Sequence, residues 1–305
     1  MRQTALNCVY ELAKKDERIV FVGSDLGTGV LDKFKSEMPE RFLMEGISEQ
    51  NLIGMSAGLA MEGKIPYVNT IATFLTRRCF EQIVLDLCLH NQKVRLISSG
   101  GGVVYAPLGP THLAIEDIAI LRAVPNIHIF APADAEEMKR LIPHTVDLPG
   151  PVYIRVAKGG DPIVTNPNDP FAVGKVFELR RGKDVLLVTT GITAKIATDS
   201  ATELSKKGIE CTIVHVPTLK PFPAAAIAEY AAGVRGVVTI EEHVIIGGLG
   251  SAVTEVLCDV GVLRRVKRIG IADEFPHEYG SQESLMKSCG ITSENVVKAA
   301  LVVLG

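Results

Sequence analysis

The stretch Glu45-Gly46-Ile47-Ser48-Glu49-Gln50-Asn51 leads into a helix whose continuation, Leu52-Ile53-Gly54-Met55-Ser56-Ala57-Gly58-Leu59-Ala60-Met61-Glu62-Gly63, is rich in small residues. Ser48 is of the type that caps helix N-termini, and a glycine such as Gly63 commonly ends a helix. Apolar residues line one face and small residues a second. We predict a helix buried on more than one side, with Glu49 half-buried in its first turn. Such a carboxylate either stabilises the helix dipole or has a function, because its burial is costly.

Length and composition describe an ordinary globular protein. A chain of 305 residues suggests about two domains, and 47% apolar with 22% charged residues provides for an ample core. The net charge of −3 gives no reason to expect nucleic acid or an anionic membrane surface as a partner. No apolar run approaches the roughly 18 residues of a membrane span, and the N-terminus reads as an amphipathic helix rather than a targeting peptide. We predict a cytoplasmic protein.

The order of elements predicts the fold class. Apolar strands alternate with amphipathic helices through residues 1–157, among them a strand over 65–71 and a helix over 75–91, as a parallel sheet requires. Residues 158–183 are richer in Gly, Pro, Asn and Asp and are predicted to be a linker. Strands and helices alternate again through residues 184–305 and end with a predicted helix over 293–304. We therefore predict an α/β protein of two domains, each a mainly parallel sheet flanked by helices.

Two glycine-rich loops follow predicted strands of the first domain. Residues 24–29 form one, and residues 98–112 form the other, which leads to His112 at the start of a predicted helix over 113–122. Open α/β sheets bind ligands at the carboxyl ends of their strands, so both loops are candidate sites. The pair Gly27-x-Gly29 is a weak phosphate signal, because it lacks the third glycine of a dinucleotide fingerprint.

Several motifs in a fixed order resemble one enzyme family. Gly46-Ile47-Ser48-Glu49-Gln50-Asn51, the small-residue helix, the strand residues Pro66-Tyr67-Val68-Asn69-Thr70 and then Thr73-Phe74-Leu75 are similar to the pyrimidine-binding domain of transketolases and related thiamine-diphosphate enzymes. The resemblance implies that Glu49 hydrogen-bonds the aminopyrimidine of the cofactor and that Phe74 and Phe80 wall its pocket. The run from Glu241 to Ala252 resembles the C-terminal domain of the same family, where its role is mainly structural.

The same resemblance assigns further residues. Asp25 matches an acid near the thiazolium ring, with an ordinary turn residue as the alternative. His112, in Gly109-Pro110-Thr111-His112, matches a histidine that faces the cofactor and the hydroxyls of the donor and can act as an acid or base. Arg155 and Arg2 match positions that hold the substrate phosphate, a task that suits the guanidinium fork. Arg77 follows Phe74 closely and could reach the same pocket. Surface arginines with no such role are common.

One part of the family is missing from this chain. The segment Gly-Asp-Gly, which holds the diphosphate through Mg²⁺ or Ca²⁺ in the family, has no match here. The resemblance thus implies an N-terminal, diphosphate-binding partner subunit in an α2β2 assembly, with self-association of this chain through its pyrimidine and C-terminal domains. The six cysteines contain no C-x-x-C pair, and Cys and His lack zinc-site spacing, so no metal site is predicted in this chain.

Two departures affect the expected substrate. Leu108 stands where the family has an Asp, and Gly100 where it has a His; both positions touch sugar groups. We predict a transferase that moves a two-carbon ketol unit from a ketose, phosphorylated or otherwise modified, to an aldose. The alternatives are the β subunit of another two-subunit thiamine-diphosphate enzyme, either of the 2-oxo acid dehydrogenase type or resembling deoxyxylulose-phosphate synthase, and a noncatalytic scaffold subunit.

Overall fold

A computed structural model describes residues 1–24, 29, 31–157 and 159–305 of the chain. It contains two sheets with helices packed on them. The elements of the first part are α1 (Arg2–Ala13), β1 (Ile19–Gly23), α2 (Asp32–Glu37), β2 (Phe42–Met44), α3 (Glu49–Met61), β3 (Ile65–Ile71), α4 (Phe80–Gln82), β4 (Arg95–Ser99), α5 (Asp117–Arg122), β5 (His128–Phe130), α6 (Ala135–Thr145) and β6 (Val152–Val156).

The remaining elements follow the same alternation. They are β7 (Phe177–Arg180), β8 (Val185–Thr189), α7 (Ala194–Ser205), β9 (Cys211–His215), β10 (Thr218–Lys220), α8 (Ala224–Ala232), β11 (Gly236–Val244), α9 (Leu249–Asp259), β12 (Arg265–Ile271), α10 (Gln282–Ser288) and α11 (Ser293–Leu304). Within the part of the chain that the structure describes, no helix is both long and apolar enough to cross a lipid bilayer.

Both sheets are mainly parallel. The larger has seven strands in the order β10-β5-β6-β4-β3-β1-β2, and every pairing in it is parallel except that of β10 with β5. The smaller has the order β12-β11-β8-β9-β7, with only β7 antiparallel. Strand β1 is a continuous apolar run because helices cover both of its faces, whereas β4 and β6, which are equally buried, carry Arg95 and Arg155. The predicted α/β class is confirmed.

The two sheets do not divide at the predicted linker. Strand β7 lies inside residues 158–183 and pairs with β9, so the end of that segment belongs to the second sheet. Strand β10, from the sequence of the second domain, pairs with β5 of the first sheet. Both strands have only three or four residues, too few to show the alternation from which a strand is predicted.

The core is continuous between the two sheets. Helices α1 and α6 cover one face of the first sheet with Leu6, Val9, Met138 and Leu141. A second cluster joins α3 to β8, α8 and α9 of the second domain. A third surrounds α7 and α11 and also takes up residues of the glycine-rich loop after β4, namely Val103, Ala106, Leu113 and Ile115. This loop is therefore packed against the second domain.

The helix α3 differs from its prediction in two respects. The hydroxyl of Ser48 donates to the Glu45 carbonyl, 3.0 Å away, and makes no capping bond to the first turn. The face formed by Gly54, Gly58 and Met61 is exposed, with Met61 57% accessible. The helix is thus buried along one face only in the single chain.

Two neighbouring segments also differ. The helix predicted at 75–91 is a helical stretch in which α4 lies between the π-helical turns Phe74–Arg78 and Ile83–Leu89. His112 does not start a helix; it ends the 3₁₀ turn Pro110–His112, and α5 begins only at Asp117. π-Helical turns are rare and occur often at functional sites, and the first of these contains Phe74.

Candidate functional site

Three of the predicted site residues lie on segments that follow neighbouring strands. Glu49 follows β2, Phe74 follows β3, and His112 is on the loop after β4. These three strands run parallel in one sheet, where β1 lies between β2 and β3. Their carboxyl ends meet at the same edge, which is where open α/β sheets bind ligands.

Glu49 is buried and paired. Its side chain is 2% exposed, and Arg78 Nη1 donates to its Oε2 over 2.5 Å. The guanidinium of Arg78, which is 42% exposed, also lies 4.5 Å from the centre of the Phe74 ring, a cation–π contact. Sequence reasoning missed Arg78 and selected its neighbour Arg77. The signal that could have identified it is its position on the helical turn that starts with Phe74.

Phe74 joins this pair to His112. The two rings meet edge to face with centroids 5.1 Å apart. His112 Nδ1 is 2.9 Å from the hydroxyl of Thr111. Glu49, Arg78, Phe74 and His112 are therefore connected by successive contacts, and we call these four residues the Glu49 cluster. It combines a buried acid, a cation, an aromatic face and an imidazole.

Polar atoms without partners lie on the same sheet edge. Among the residues described, Asn69 Oδ1 and Thr73 Oγ1 are buried and accept or donate no hydrogen bond. Asn69 Nδ2 donates to the Ile97 carbonyl and to Ser99 Oγ, each at 2.9 Å, which fixes the amide. Buried polar groups are normally satisfied. Together with the acid and the ring, these atoms fit a flat heterocycle that carries donors and acceptors.

Arg77 does not join the Glu49 cluster. Its guanidinium forms an ion pair with Glu116, which raises the pKa of Arg77. The pair lines a cleft of about 590 Å³ whose other wall includes Val244 and Phe275 of the second domain. The prediction that Arg77 reaches the Phe74 pocket is therefore not supported by its placement, because its side chain is directed to the boundary between the domains.

Arg155 is bonded mainly to groups in the interior of the protein. It is 7% exposed, its Nε donates to Asp117 Oδ2 over 2.8 Å, and its Nη2 donates to the carbonyls of Ala114 (3.0 Å) and Glu242 (2.8 Å). Although burial opposes it, the nearby acids raise the pKa of Arg155 and keep it charged. Nε and Nη2 of Arg155 are thus bonded to the interior of the protein, and the assignment of Arg155 to a substrate phosphate stays a prediction.

The other predicted residues are less constrained. Phe80 is 36% exposed and, among the described residues, makes no ring contact with Phe74 or His112. Arg2 opens α1 beside the buried Met1 and is partly exposed. Asp25 lies outside the described residues. The structure therefore brings together Glu49, Phe74 and His112, and adds Arg78.

Leu108 and Gly100, the two residues that depart from the family pattern, lie in different surroundings. Leu108 is 50% exposed at the end of the turn Ala106–Leu108. Gly100 has φ +84°, and a Cβ at this position would lie 2.0 Å from the ring of Tyr105. A side chain at Gly100 would require the left-handed backbone region and displacement of that ring. The conformation of the loop at position 100 therefore favours glycine.

Buried ionisable groups connect the loop to the second domain. Glu241, Glu242 and His243 lie at the end of β11 and are at most 3% exposed. Burial raises the pKa of each glutamate to about 7 and lowers that of His243 to about 4. His243 Nε2 accepts the Ala119 N–H over 3.2 Å, so this neutral imidazole links β11 to α5.

No metal site is formed by the described side chains. Among the residues placed by the structure, no three His, Cys, Asp or Glu side chains converge as metal ligands. The cysteines there are all free thiols, with Cys79, Cys88 and Cys211 buried. Burial raises the pKa of each of these three thiols to about 12, so they are protonated and unreactive.

Family comparisons cover almost the whole chain. The family described as "Transketolase, pyrimidine binding domain" matches residues 1–160, and "Transketolase, C-terminal domain" matches residues 174–296. The chain is 37% identical to a subunit of the apulose-4-phosphate transketolase of Actinobacillus succinogenes, over 92% of this chain and 90% of that one. It is 35% identical to the 6-deoxy-6-sulfo-D-fructose transketolase subunit of a Clostridium species, over 98% of this chain and 93% of that one.

Two further similar proteins are a longer enzyme and a solved structure. The chain is 36% identical to the 1-deoxy-D-xylulose-5-phosphate synthase of Microcystis aeruginosa, over 95% of this chain but 46% of that enzyme. A solved structure described as a split gene transketolase, inactive beta4 tetramer, superposes with a TM-score of 0.90 at 36% identity, and the match covers 99% of this chain and 97% of that one.

Proposed function

Because this chain belongs to the transketolase family, a family that depends on thiamine diphosphate, we propose that it is the catalytic C-terminal subunit of a two-chain enzyme that transfers a two-carbon ketol unit from a ketose to an aldose. The observation that carries the proposal is the Glu49 cluster. It brings a buried carboxyl group, an aromatic face and a histidine to one ligand-binding edge.

Glu49 would act on the pyrimidine of the cofactor. When bound, thiamine diphosphate supplies the nucleophilic carbon that adds to the ketose carbonyl and the ring that holds the electrons left by C–C cleavage. Glu49 lies in the first turn of α3 with 2% exposure, so it is shielded from water and can give one directed hydrogen bond to a ring nitrogen. Phe74 would stack on the pyrimidine, and Thr73 and Asn69 could satisfy its remaining polar atoms.

His112 would act on the substrate. Its ring is fixed on one side by contact with Phe74 and at Nδ1 by Thr111, which leaves Nε2 to face a hydroxyl group. An imidazole in this position can take a proton from the donor or return it to the acceptor. Arg2, which opens α1 and is partly exposed, remains our proposal for a contact to a substrate phosphate.

The partner subunit would complete the cofactor site. We assign it the diphosphate and the Mg²⁺ or Ca²⁺ ion, because the described residues of this chain form no metal site and its sequence lacks the Gly-Asp-Gly segment. We also propose that this chain associates with a second copy through the exposed face of α3 formed by Gly54, Gly58 and Met61, which we call the open face of α3. The superposed split gene transketolase is described as a tetramer, which is consistent with such self-association. An α2β2 assembly then follows.

The substrate is proposed to be a modified sugar. Relatives of similar length are named for apulose 4-phosphate and for a sulfonated deoxyfructose, neither of which is a standard pentose phosphate. Leu108 offers an apolar, half-exposed side chain where the family has an acid, and the Gly100 position has no room for the histidine. A ketose that lacks a hydroxyl, or is branched, would suit the changed positions.

Calorimetric titration tests this proposal. Thiamine diphosphate with Mg²⁺ is titrated into this chain, into a candidate N-terminal subunit and into their mixture, followed by assays of ketose donors with the mixture. We expect binding only in the mixture, and Glu49→Gln to abolish ketol transfer. The exposed Glu45 is four residues away, so Glu45→Gln is the matched control and retains activity. Absence of binding in the mixture would overturn the proposal.

A synthase-like activity is a second candidate, because the match to the Microcystis enzyme is nearly as strong. The same mixture is supplied with pyruvate and glyceraldehyde 3-phosphate. Release of carbon dioxide without turnover of any ketose donor would favour this alternative over ketol transfer.

A further inference from the structure

The loop that carries His112 is closed at its base. Gly102 and Ala114 exchange two backbone hydrogen bonds of 2.8 and 3.0 Å. Between them lie the 3₁₀ turns Ala106–Leu108 and Pro110–His112. Because the turns are short and their backbone is tied to this base, the position of the base determines where the imidazole of His112 lies.

The base of the loop is held by the second domain. Val103, Ala106 and Leu113 are at most 1% exposed within the apolar cluster around α7 and α11. The amide of Val244, at the end of β11, donates to the Ile115 carbonyl over 2.8 Å. The side of the loop away from the Glu49 cluster is thus bound to a domain that supplies no residue to that cluster.

Glu242 makes the polar contact at this junction. Its Oε1 accepts the N–H of Val103 over 2.9 Å and the side-chain amide of Gln282 over 2.8 Å. Glu242 is 3% exposed, so neither bond is replaced by water at low cost. Gln282 begins α10, so the carboxylate links three segments: β11, α10 and the loop.

The loop approaches this carboxylate too closely for a side chain. Gly102 has φ +69°, and a Cβ there would lie 2.4 Å from Cδ of Glu242. Glycine is the residue that permits both this backbone conformation and such contact. The contact therefore depends on both Gly102 and Glu242, which are far apart in the sequence.

We infer that Glu242 is a positioning residue for the proposed ketol transfer: from the second domain, it fixes the base of the loop and thereby the place of His112 in the site. The inference deepens the proposed function and rests on it for the role of His112. It gives the C-terminal domain a part in the geometry of the active site.

Hydrogen exchange on the full chain tests the placement without any activity. In Glu242→Leu, the Val103 N–H loses its acceptor, and we expect the amides of residues 103–112 to exchange ~10-fold faster or more. Glu241→Leu is the matched control. Glu241 is likewise buried on the same strand and, like Glu242, accepts two hydrogen bonds, but its donors are the backbone N–H groups of Leu249 and Gly250 in α9. Equal exchange of residues 103–112 in both variants would overturn the inference.

Kinetics with the partner subunit supply the second readout. Glu242→Leu is expected to raise the KM for the ketose donor severalfold and to leave the Kd for thiamine diphosphate unchanged, because Glu49 and Phe74 lie on other elements. Glu242→Gln keeps an acceptor oxygen and should restore the KM. If Glu242→Leu does not fold, Gln282→Leu, which removes one hydrogen-bond partner of Glu242, replaces it in both experiments. A parallel loss of cofactor affinity in these variants would indicate a merely structural role and contradict the inference.

The two proposals fail differently. If the wild-type mixture binds no cofactor and turns over no ketose, the proposed function falls, while the exchange experiment still decides whether Glu242 holds the loop. If the mixture is active and the loop exchanges normally in Glu242→Leu, only the positioning role of Glu242 falls.

Discussion

Arg78 competes with the proposed cofactor for two of its contacts. In the chain alone, its guanidinium is bonded to Glu49 and lies over the ring of Phe74. A pyrimidine ring would need the same carboxyl group and the same aromatic face. For the cofactor to bind, Arg78 must therefore leave both, and its 42% exposure gives the side chain a way out to solvent.

Removal of Arg78 should thus strengthen cofactor binding. A half-exposed ion pair contributes about 1 kcal/mol or less, so we expect Arg78→Leu to lower the Kd for thiamine diphosphate up to about fivefold in calorimetric titration of the mixture. Arg77→Leu is the matched control, since Arg77 pairs with Glu116 away from the cluster. Weaker binding by Arg78→Leu would mean that Arg78 assists the cofactor instead of competing with it.

Gly100 has a backbone conformation and a neighbour that both disfavour a side chain. Alanine there would occupy the left-handed backbone region and meet the ring of Tyr105. We expect Gly100→Ala to lower the free energy of unfolding by about 1–3 kcal/mol in chemical denaturation. Gly233→Ala should change it by less than about 0.5 kcal/mol, because its φ is −81° and the nearest atom to its Cβ is 3.6 Å away. Similar losses in the two variants would contradict this account.

The site could be predicted only where a motif names a residue. Glu49, Phe74 and His112 were identifiable from local sequence and do come together. The surroundings of Arg155 could not be predicted, because its partners, among them Asp117 and the carbonyl of Glu242, come from distant segments. Its role is decided by tertiary contacts, which residue type and spacing do not contain.

The open face of α3 is the surface to which we assign the proposed self-association of the chain. A Cβ at Gly54 or Gly58 would meet no atom within 4 Å, so a second helix can approach this backbone closely. Exposed apolar side chains lie on the nearby helical stretch, with Leu85 at 45% and Leu89 at 68% exposure. The sequence predicted burial of this face, and a second copy of the chain would provide it.

Gly58→Glu should therefore weaken self-association. A carboxylate buried in an apolar helix contact is costly, and we expect the dissociation constant from sedimentation velocity to rise by at least about tenfold. Ala225→Glu places the same side chain at an exposed position of α8 and should leave the constant unchanged. If Gly58→Glu assembles as the wild type does, the interface lies elsewhere.

Elements were predicted well where their pattern was long. β3 has the predicted bounds, and α11 is the predicted helix, because seven to twelve residues suffice to show periodicity. The strands β7 and β10 were missed, and the π-helical turns around α4 were interpreted as a regular helix. Those features depend on which neighbour a segment meets in space.

At the scale of the whole molecule, the buried glutamates of β11 make stability depend on pH. Glu241 and Glu242 have pKa values raised to about 7 from an ordinary 4.5, mainly by burial. Glu242 faces Arg155 of β6 and Asp117 of α5, and Glu241 is opposed by Arg155 and Arg268. The folded state thus favours the protonated acids. Their contribution to stability is complete below pH 4.5 and is lost as the pH rises through 7.

Glu241→Gln should reduce this dependence. The free energy of unfolding of the wild type is expected to fall between about pH 5 and about pH 8, by on the order of 3 kcal/mol at most for each glutamate. The variant has one titrating group fewer and should show a shallower decline in denaturant titrations across that range. The pKa of Asp117 is lowered, so its effect has the opposite sign and falls at lower pH. The pKa of His243 is lowered from 6.5 to about 4, so His243 opposes the decline between these pH values, by about as much as one glutamate contributes, and does so equally in both proteins. Parallel curves for the two proteins would refute the assignment to Glu241.

The placement of β10 has a consequence for dissecting the protein. This strand belongs by sequence to the second domain, yet it covers the outer side of β5 in the first sheet. A fragment of residues 1–160 would therefore end its sheet with the bare backbone groups of β5. Unpaired strand edges recruit other chains, so the isolated fragment is expected to aggregate on expression. The regions matched by the two family models, residues 1–160 and 174–296, are therefore not independent folding units in this protein.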